Sequence, residues 1–269
     1  MVKTISTYKS DTKVKFKIKD LILACLNGLE LFLKDLRDKK PGSLDKIIEI
    51  LTIRYGIKKD FKISIDNEHE ILNQNPELQK NSINAVLSLV NYEKYMNNSI
   101  DDEINIDALD LITTFNQFEY SFLISLLEIM SHKESIEFIK RLADDVARSR
   151  NNPDNYVNNF EELLDRYKTN LDRWCAQDVV AEMVNNGKLM YKVKKCVWAE
   201  VLKDFDLDYA YSMMCYQDFE NTKNQNPNFR LTRTKTIMQG DDYCDFCYHD
   251  IRKEEVLTHP SKEEFQKLG

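Results

Sequence analysis

The densest group of reactive side chains in the chain is the run Cys244, Asp245, Phe246, Cys247, Tyr248 and His249. A cysteine attacks carbon as its thiolate, which a neighbouring cation, an imidazole or a helix amino terminus can stabilise at neutral pH. On an extended strand successive side chains face opposite ways. Cys244, Phe246 and Tyr248 then share one face, and Asp245, Cys247 and His249 the other. The two thiols diverge, and His249 points away from Cys244. A zinc or redox pair needs a turn or a helix start at its motif, and this run contains no Gly or Pro. A four-cysteine metal site built from Cys196, Cys215, Cys244 and Cys247 is a weaker alternative, because no second C-x-x-C completes the usual zinc spacing. Against the nucleophile stands the ordinary reading that a buried free cysteine is an inert small hydrophobe.

Two arginines, Arg230 and Arg233, fall on the strand expected to face Cys244, and either could stabilise a thiolate or clamp a carboxylate. Upstream, Cys215 and Asp218 are spaced to share one face of a helix, with Tyr211 a turn before Cys215. A carboxylate placed beside Met213, Met214 and Phe219 either faces solvent or is held where burial raises its pKa into the range of a general base. His69, His132 and His259 lie in polar sequence and are expected to be solvated.

The elements that must position these residues follow from hydrophobic periodicity. Apolar residues recur at helical spacing from Phe16 to Leu36, ending at the Pro41, Gly42 breaker, and Ser43 is placed to cap a second helix through about Tyr55. Further helices are expected over about 77–96, 106–130 and 133–149, while 58–76 reads as a strand or an irregular connection. Asn152, Pro153 and Asp154 look like the start of a helix that runs to about Val184, with a break near Trp174. After Asn185, Asn186 and Gly187 the texture changes to a period-two strand over 188–194, followed by helices at about 197–204 and 208–222. A turn at 226–228 then opens a hairpin, with strands at 229–238 and 243–251. Helices first and a small sheet late make an α+β fold, mainly helical with a small carboxy-terminal antiparallel sheet. We divide the chain into an amino-terminal helical region, 1–104, and an α+β domain, 105–269.

Composition bounds the function. With 269 residues, 42% hydrophobic and 31% charged, the chain can bury a sizeable core. A net charge of -7 argues against nucleic acid as a partner, since that affinity needs clustered Lys and Arg. No apolar run approaches the roughly 20 residues of a membrane helix, and no secretory signal is evident, so a cytoplasmic protein is expected. The 6 cysteines are too sparse for a disulfide scaffold, and 4 of them lie after residue 190. The expected partner is a small-molecule substrate, with no cofactor, no metal, no membrane and possible homo-oligomerisation.

One order of residues carries a resemblance. Cys196-Val197-Trp198-Ala199-Glu200, then Cys215-Tyr216-Gln217-Asp218, then Phe229-Arg230-Leu231-Thr232-Arg233-Thr234, then Gly240 and Cys244-Asp245-Phe246 resemble the carboxy-terminal half of the L-2-amino-thiazoline-4-carboxylic acid hydrolase family. The likeness covers about 110–251 and is sharp from about 190. Where members carry Cys-Asp-Phe-Arg-Tyr, this chain has Cys247 in place of the Arg. The resemblance implies a cysteine-dependent hydrolase of a carbon–nitrogen, cyclic amidine-like bond in a small amino-acid-derived substrate, giving an N-carbamoyl amino acid. It implies Cys244 as nucleophile and Asp218 as the group that orients or deprotonates water. Arg230 and Arg233 would hold the substrate carboxylate, with Cys215, Thr234 and His249 as further substrate contacts. The alternative is a sensor domain that binds a small molecule without catalysis.

Overall fold

The computed structural model describes residues 2–56, 60–65, 68–185 and 187–268. Contacts divide the chain into two units, one of 13–142 and one formed by 1–12 together with 143–269.

The first unit is helical. Strand β2 (Lys13–Lys17) pairs antiparallel with β3 (Glu103–Asp107), and each leads directly into a long helix, α1 (Ile18–Lys39) and α5 (Ala108–Leu123). Helices α2 (Leu44–Arg54), α3 (Glu70–Gln74) and α4 (Pro76–Leu89) complete the layer around α1. The α1 stripe Leu21, Ile22, Leu26, Leu29, Phe32, Leu33 and Leu36 is fully buried, as its spacing requires. Phe32 meets Phe122 at 5.1 Å, and Tyr55 stacks on Phe118 at 5.2 Å. Two expectations change here. Ser43 makes no capping bond, because a 3-10 turn, Pro41–Ser43, runs straight into α2. His69 is buried rather than solvated, its Nε2 lying 2.6 Å from Asn27 Oδ1. The undecided stretch contains no strand over 60–65, and its other doubtful positions, 58, 59, 66 and 67, lie outside the described residues. Helix α6 (His132–Ser149) supplies residues to both units.

The second unit is an antiparallel sheet in the order β1-β4-β5-β7-β6, with β1 at Lys3–Ser6, β4 at Gln177–Asn185, β5 at Lys188–Cys196, β6 at Phe229–Thr232 and β7 at Cys244–Asp250. The expected α+β class holds, although the sheet also recruits the amino terminus. Helix α7 (Phe160–Trp174) lies on one face, burying Phe160, Leu163 and Leu164 against Tyr191, Phe229, Phe246 and Tyr248. Its first turn is capped by Asn159, whose side chain accepts from the Glu162 amide at 2.9 Å. Asn159→Ala is expected to cost about 1 kcal/mol. A urea midpoint unchanged from wild type would show that this cap contributes nothing.

The break expected near Trp174 is where the helix ends, Cys175 taking a left-handed conformation with φ 45°, and the stretch from there to Val184 is not its continuation. Asn152 does accept from Asp154 N, but it opens only a 3-10 turn, Pro153–Asn155. Residues 177–185 are a strand because β4 sits inside the sheet between β1 and β5. Its Val179, Val180 and Ala181 are all buried, and a strand covered on both faces has no period-two signature. Beyond β5, α8 (Val197–Leu202) and α9 (Leu207–Ala210) are short. The continuous helix expected over 208–222 is interrupted by a π-helical turn, Tyr211–Cys215, before α10 (Asp218–Gln225). Strand β6 ends at Thr232, so 233–236 is a loop rather than the expected strand. The chain closes with α11 (Lys262–Lys267), fixed by a capping box from Ser261 and Glu264. Among the described residues no helix is long and apolar enough to cross a membrane.

Candidate functional site

Strand β7 is buried along its whole length and divides its side chains between two environments. Cys244, Phe246 and Tyr248 join the core beneath α7. Cys247 joins a separate cluster with Val180, Met190, Tyr243, Phe265 and Leu268. The period-two geometry of the strand enforces this split. Cys247 therefore cannot converge with Cys244, and the four-cysteine metal site is not formed. The position at which the chain departs from the family pattern also lies on the face away from Cys244.

The front of the site is organised by Arg233, which leaves the end of β6 and turns inward until its side chain is 1% exposed. A buried guanidinium needs acceptors for its donors. Arg233 Nη1 donates to Asp218 Oδ2 at 2.7 Å, while Nη2 donates to the Cys215 carbonyl at 3.0 Å and to Tyr211 Oη at 3.2 Å. The Cys215 carbonyl can accept because the Phe219 amide, its partner in a continuous α-helix, turns to the Tyr216 carbonyl at 3.4 Å instead. Rings enclose the cation, with centroids at 4.9 Å for Phe246, 5.2 Å for Phe219 and 5.4 Å for Tyr211.

Electrostatics at this cluster are set first by desolvation. Burial pushes the Asp218 carboxyl up to about 6, against the opposing pull of the Arg233 guanidinium. Cys244 is 6% exposed, and burial pushes its thiol up to about 12, although its Sγ accepts from the Ile237 amide at 3.3 Å. Cys215 is also raised well above its ordinary value by burial and by the nearby Asp218 charge. Cys196 is raised by burial, and its Sγ accepts from Gln177 Nε2 at 3.5 Å. The resting state is thus a set of protonated thiols beside an ion pair, not the thiolate expected at Cys244. Tyr167, Tyr191 and Tyr248 form the adjoining aromatic wall, with Tyr167 5.7 Å from Tyr191 and 5.9 Å from Tyr248.

Of the residues selected from sequence, the fold brings Cys215, Asp218, Arg233 and Cys244 into one neighbourhood. Arg230 is elsewhere. It pairs in register with His249, and its Nη1 donates to the carbonyls of Pro227 and Phe229 at 2.8 and 2.7 Å. Thr234 and His249 belong to the reverse side. Thr234 donates from N and Oγ1 to Asp245, at 2.8 and 2.5 Å. His249 Nδ1 lies 2.7 Å from Glu254 Oε2, and its Nε2 2.8 Å from Thr232 Oγ1. His259, expected to be solvated, is half-buried between Thr232 Oγ1 at 2.8 Å and Asp245 Oδ2 at 3.1 Å. Sequence spacing does not reveal His259 or Glu254 because they lie on an irregular segment folded back over the sheet. The tyrosine wall escapes notice for another reason: Tyr167, Tyr191 and Tyr248 come from three different elements.

The description "L-2-amino-thiazoline-4-carboxylic acid hydrolase" belongs to the family whose model matches residues 116–248, so the resemblance read from the sequence holds over the carboxy-terminal half of the chain. That name points to hydrolase activity. Cys196, Tyr211, Cys215, Asp218, Arg233 and Cys244 all fall inside the match, whereas His249, Glu254 and His259 lie beyond it. No curated protein and no solved structure matches the chain.

Proposed function

From that family match, we propose that the protein is a cysteine-dependent hydrolase that opens a cyclic amidine-like ring in a small amino-acid-derived substrate, acting on its carbon–nitrogen centre. The observation that carries the reading is the Arg233–Asp218 pair, a buried guanidinium on a half-buried carboxylate, set beside Cys244 and Cys215 within the matched residues. A protonated cyclic amidine presents N–H donors around an electrophilic carbon. An ionised Asp218, held in place by Arg233, offers the acceptor and can then take a proton from the attacking group. Because Cys244 keeps its proton at rest, its nucleophile must form inside the complex, where the substrate cation favours a thiolate. Neither arginine is left to hold a substrate carboxylate: Arg230 is engaged at its own turn, and the buried Arg233, with Nη1 on Asp218 and Nη2 on Tyr211 and the Cys215 carbonyl, instead holds the base in place. Cys215 completes the proposed contacts, while Thr234 and His249, turned to the reverse side of the sheet, take no part in them.

The carboxyl that burial lifts to about 6 sets the sign of the pH dependence. Asp218 works as a base only when ionised, so kcat/KM on L-2-amino-thiazoline-4-carboxylate is expected to rise with pH through about 6. Asp218→Asn should remove that acid limb and lower turnover by about 10²–10⁴-fold. Steady-state rates measured across pH on the full chain decide the matter. Full activity in the Asn variant would remove Asp218 from the mechanism. The sensor alternative draws on the raised Cys244 thiol, and binding of the same compound with no turnover at any pH would favour it.

A further inference from the structure

The reverse side of the sheet holds a continuous hydrogen-bonded chain that the proposed reaction does not use. It runs from Asp245 Oδ2 to His259 Nε2 at 3.1 Å, and from His259 Nδ1 to Thr232 Oγ1 at 2.8 Å. From there it passes to His249 Nε2 at 2.8 Å and from His249 Nδ1 to Glu254 Oε2 at 2.7 Å. Each of these four contacts needs one hydrogen between its heavy atoms. Ionised carboxylates bring none, the hydroxyl brings one, and each neutral imidazole brings one, whichever tautomer it adopts. The groups are therefore one hydrogen short, and the chain is complete only if it carries one extra proton. That proton belongs to the coupled chain rather than to either ring.

The chain also reaches the front of the sheet. Asp245 Oδ1 accepts from the amides of Thr234 and Lys235 at 2.8 and 2.7 Å, and Oδ2 from Thr234 Oγ1 at 2.5 Å and from His259. These bonds fix the loop that starts with Arg233 and ends with Ile237, whose amide meets Cys244 Sγ. We propose that Asp245, His259, Thr232, His249 and Glu254 form a one-proton relay that locks the 233–237 loop, making His259 a positioning residue for Arg233 and Cys244.

The inference rests on reading the front cluster as the reactive site. Besides the two carboxylates, the charged and titratable groups beside the relay are Lys188 from β5, whose Nζ is 3.5 Å from Glu254 Oε1, Cys247 from β7, which is hydrogen-bonded to Thr232, and Arg230 from β6, which lies opposite His249 with its Nη1 turned to the Pro227 and Phe229 carbonyls. Lys192 of β5 turns its Nζ to the carbonyls of Phe265 and Leu268, and Phe265 stacks on His259 at 5.4 Å. Loss of the proton would set a ring lone pair against a carboxylate at one end of the chain, so the lock weakens as pH rises.

Two measurements on the full chain test this, and neither needs turnover, so failure of the hydrolase reading leaves them intact. Nitrogen-15 NMR of histidine-labelled protein at neutral pH should show one ring of the His249 and His259 pair protonated on both nitrogens. Site-resolved alkylation by iodoacetamide, with Cys175 as the internal reference, should show Cys244 reacting about tenfold faster in His259→Gln than in wild type at neutral pH, the effect of one lost charge-assisted bond. The two proteins should converge at higher pH, where the wild-type relay has given up its proton. Two neutral rings, or a folded H259Q whose Cys244 reacts as in wild type, would overturn the proposal. Should H259Q not fold, the proton count in the wild type decides alone.

Discussion

Arg233→Met is expected to lower the stability of the chain by about 1–3 kcal/mol, the cost of leaving the acceptors of a buried guanidinium unpaired, because the Asp218 side chain it leaves behind is 34% exposed and partly solvated. The replacement keeps much of the side-chain volume, so the loss is electrostatic rather than a cavity effect. Asp218 would lose its 2.7 Å donor, the Cys215 carbonyl and Tyr211 hydroxyl would each lose one, and three rings would lose the cation they enclose. The sign of the pH effect follows from the Asp218 carboxyl, whose value of about 6 already lies above its ordinary 3.8. A raised carboxyl contributes most to stability when protonated, and that contribution is lost as pH rises through about 6. Without the guanidinium the carboxyl rises further, so the deficit of the variant should be larger above this range than below it. Combining R233M with Asp218→Asn should recover part of the loss, since the unpaired charge disappears. Urea unfolding of the three variants at two pH values measures all of this. A deficit under about 1 kcal/mol would mean that Arg233 behaves as a solvated surface cation.

The second large effect concerns turnover. Cys244→Ala is expected to reduce kcat by on the order of 10⁴-fold or more while the fold is kept, as for removal of a covalent nucleophile. Alanine fits because the Cys244 side chain is small and, among the described residues, its hydrogen bond is the one from the Ile237 amide. Serine in its place retains an acceptor for that amide but not the sulfur, and should be as inactive as alanine. Circular dichroism and ligand affinity of both variants separate loss of chemistry from loss of structure. Activity surviving in C244A would transfer the attack to a water held by Asp218.

The two faces of β7 were legible from residue alternation alone, and with them the conclusion that Cys244 and Cys247 cannot act together. The long amphipathic helices were legible for the same reason, since a periodic apolar stripe is a local property of the chain. Strand β4 was not, because a strand covered on both sides loses its alternation and reads like a helix extension. The interruption at Tyr211–Cys215 was invisible too. Its sequence, Tyr-Ser-Met-Met-Cys, suits an α-helix, and only in the folded chain does the helix break around residue 216 leave the Cys215 carbonyl to Arg233.

Within the site, the sequence determined which residue types were at hand: a thiol at 244, a carboxylate at 218, a guanidinium at 233, and the family pattern that joins them. Tertiary structure decided their states. Desolvation depends on what covers a group, and α7 with the tyrosine wall holds Cys244 as a thiol and lifts Asp218 toward neutrality. It also decided that Arg230 stays at its turn while Arg233 turns inward. The placement of His259 depended on it as well, because a polar stretch of sequence says nothing about which buried acceptors the folded chain will bring to it.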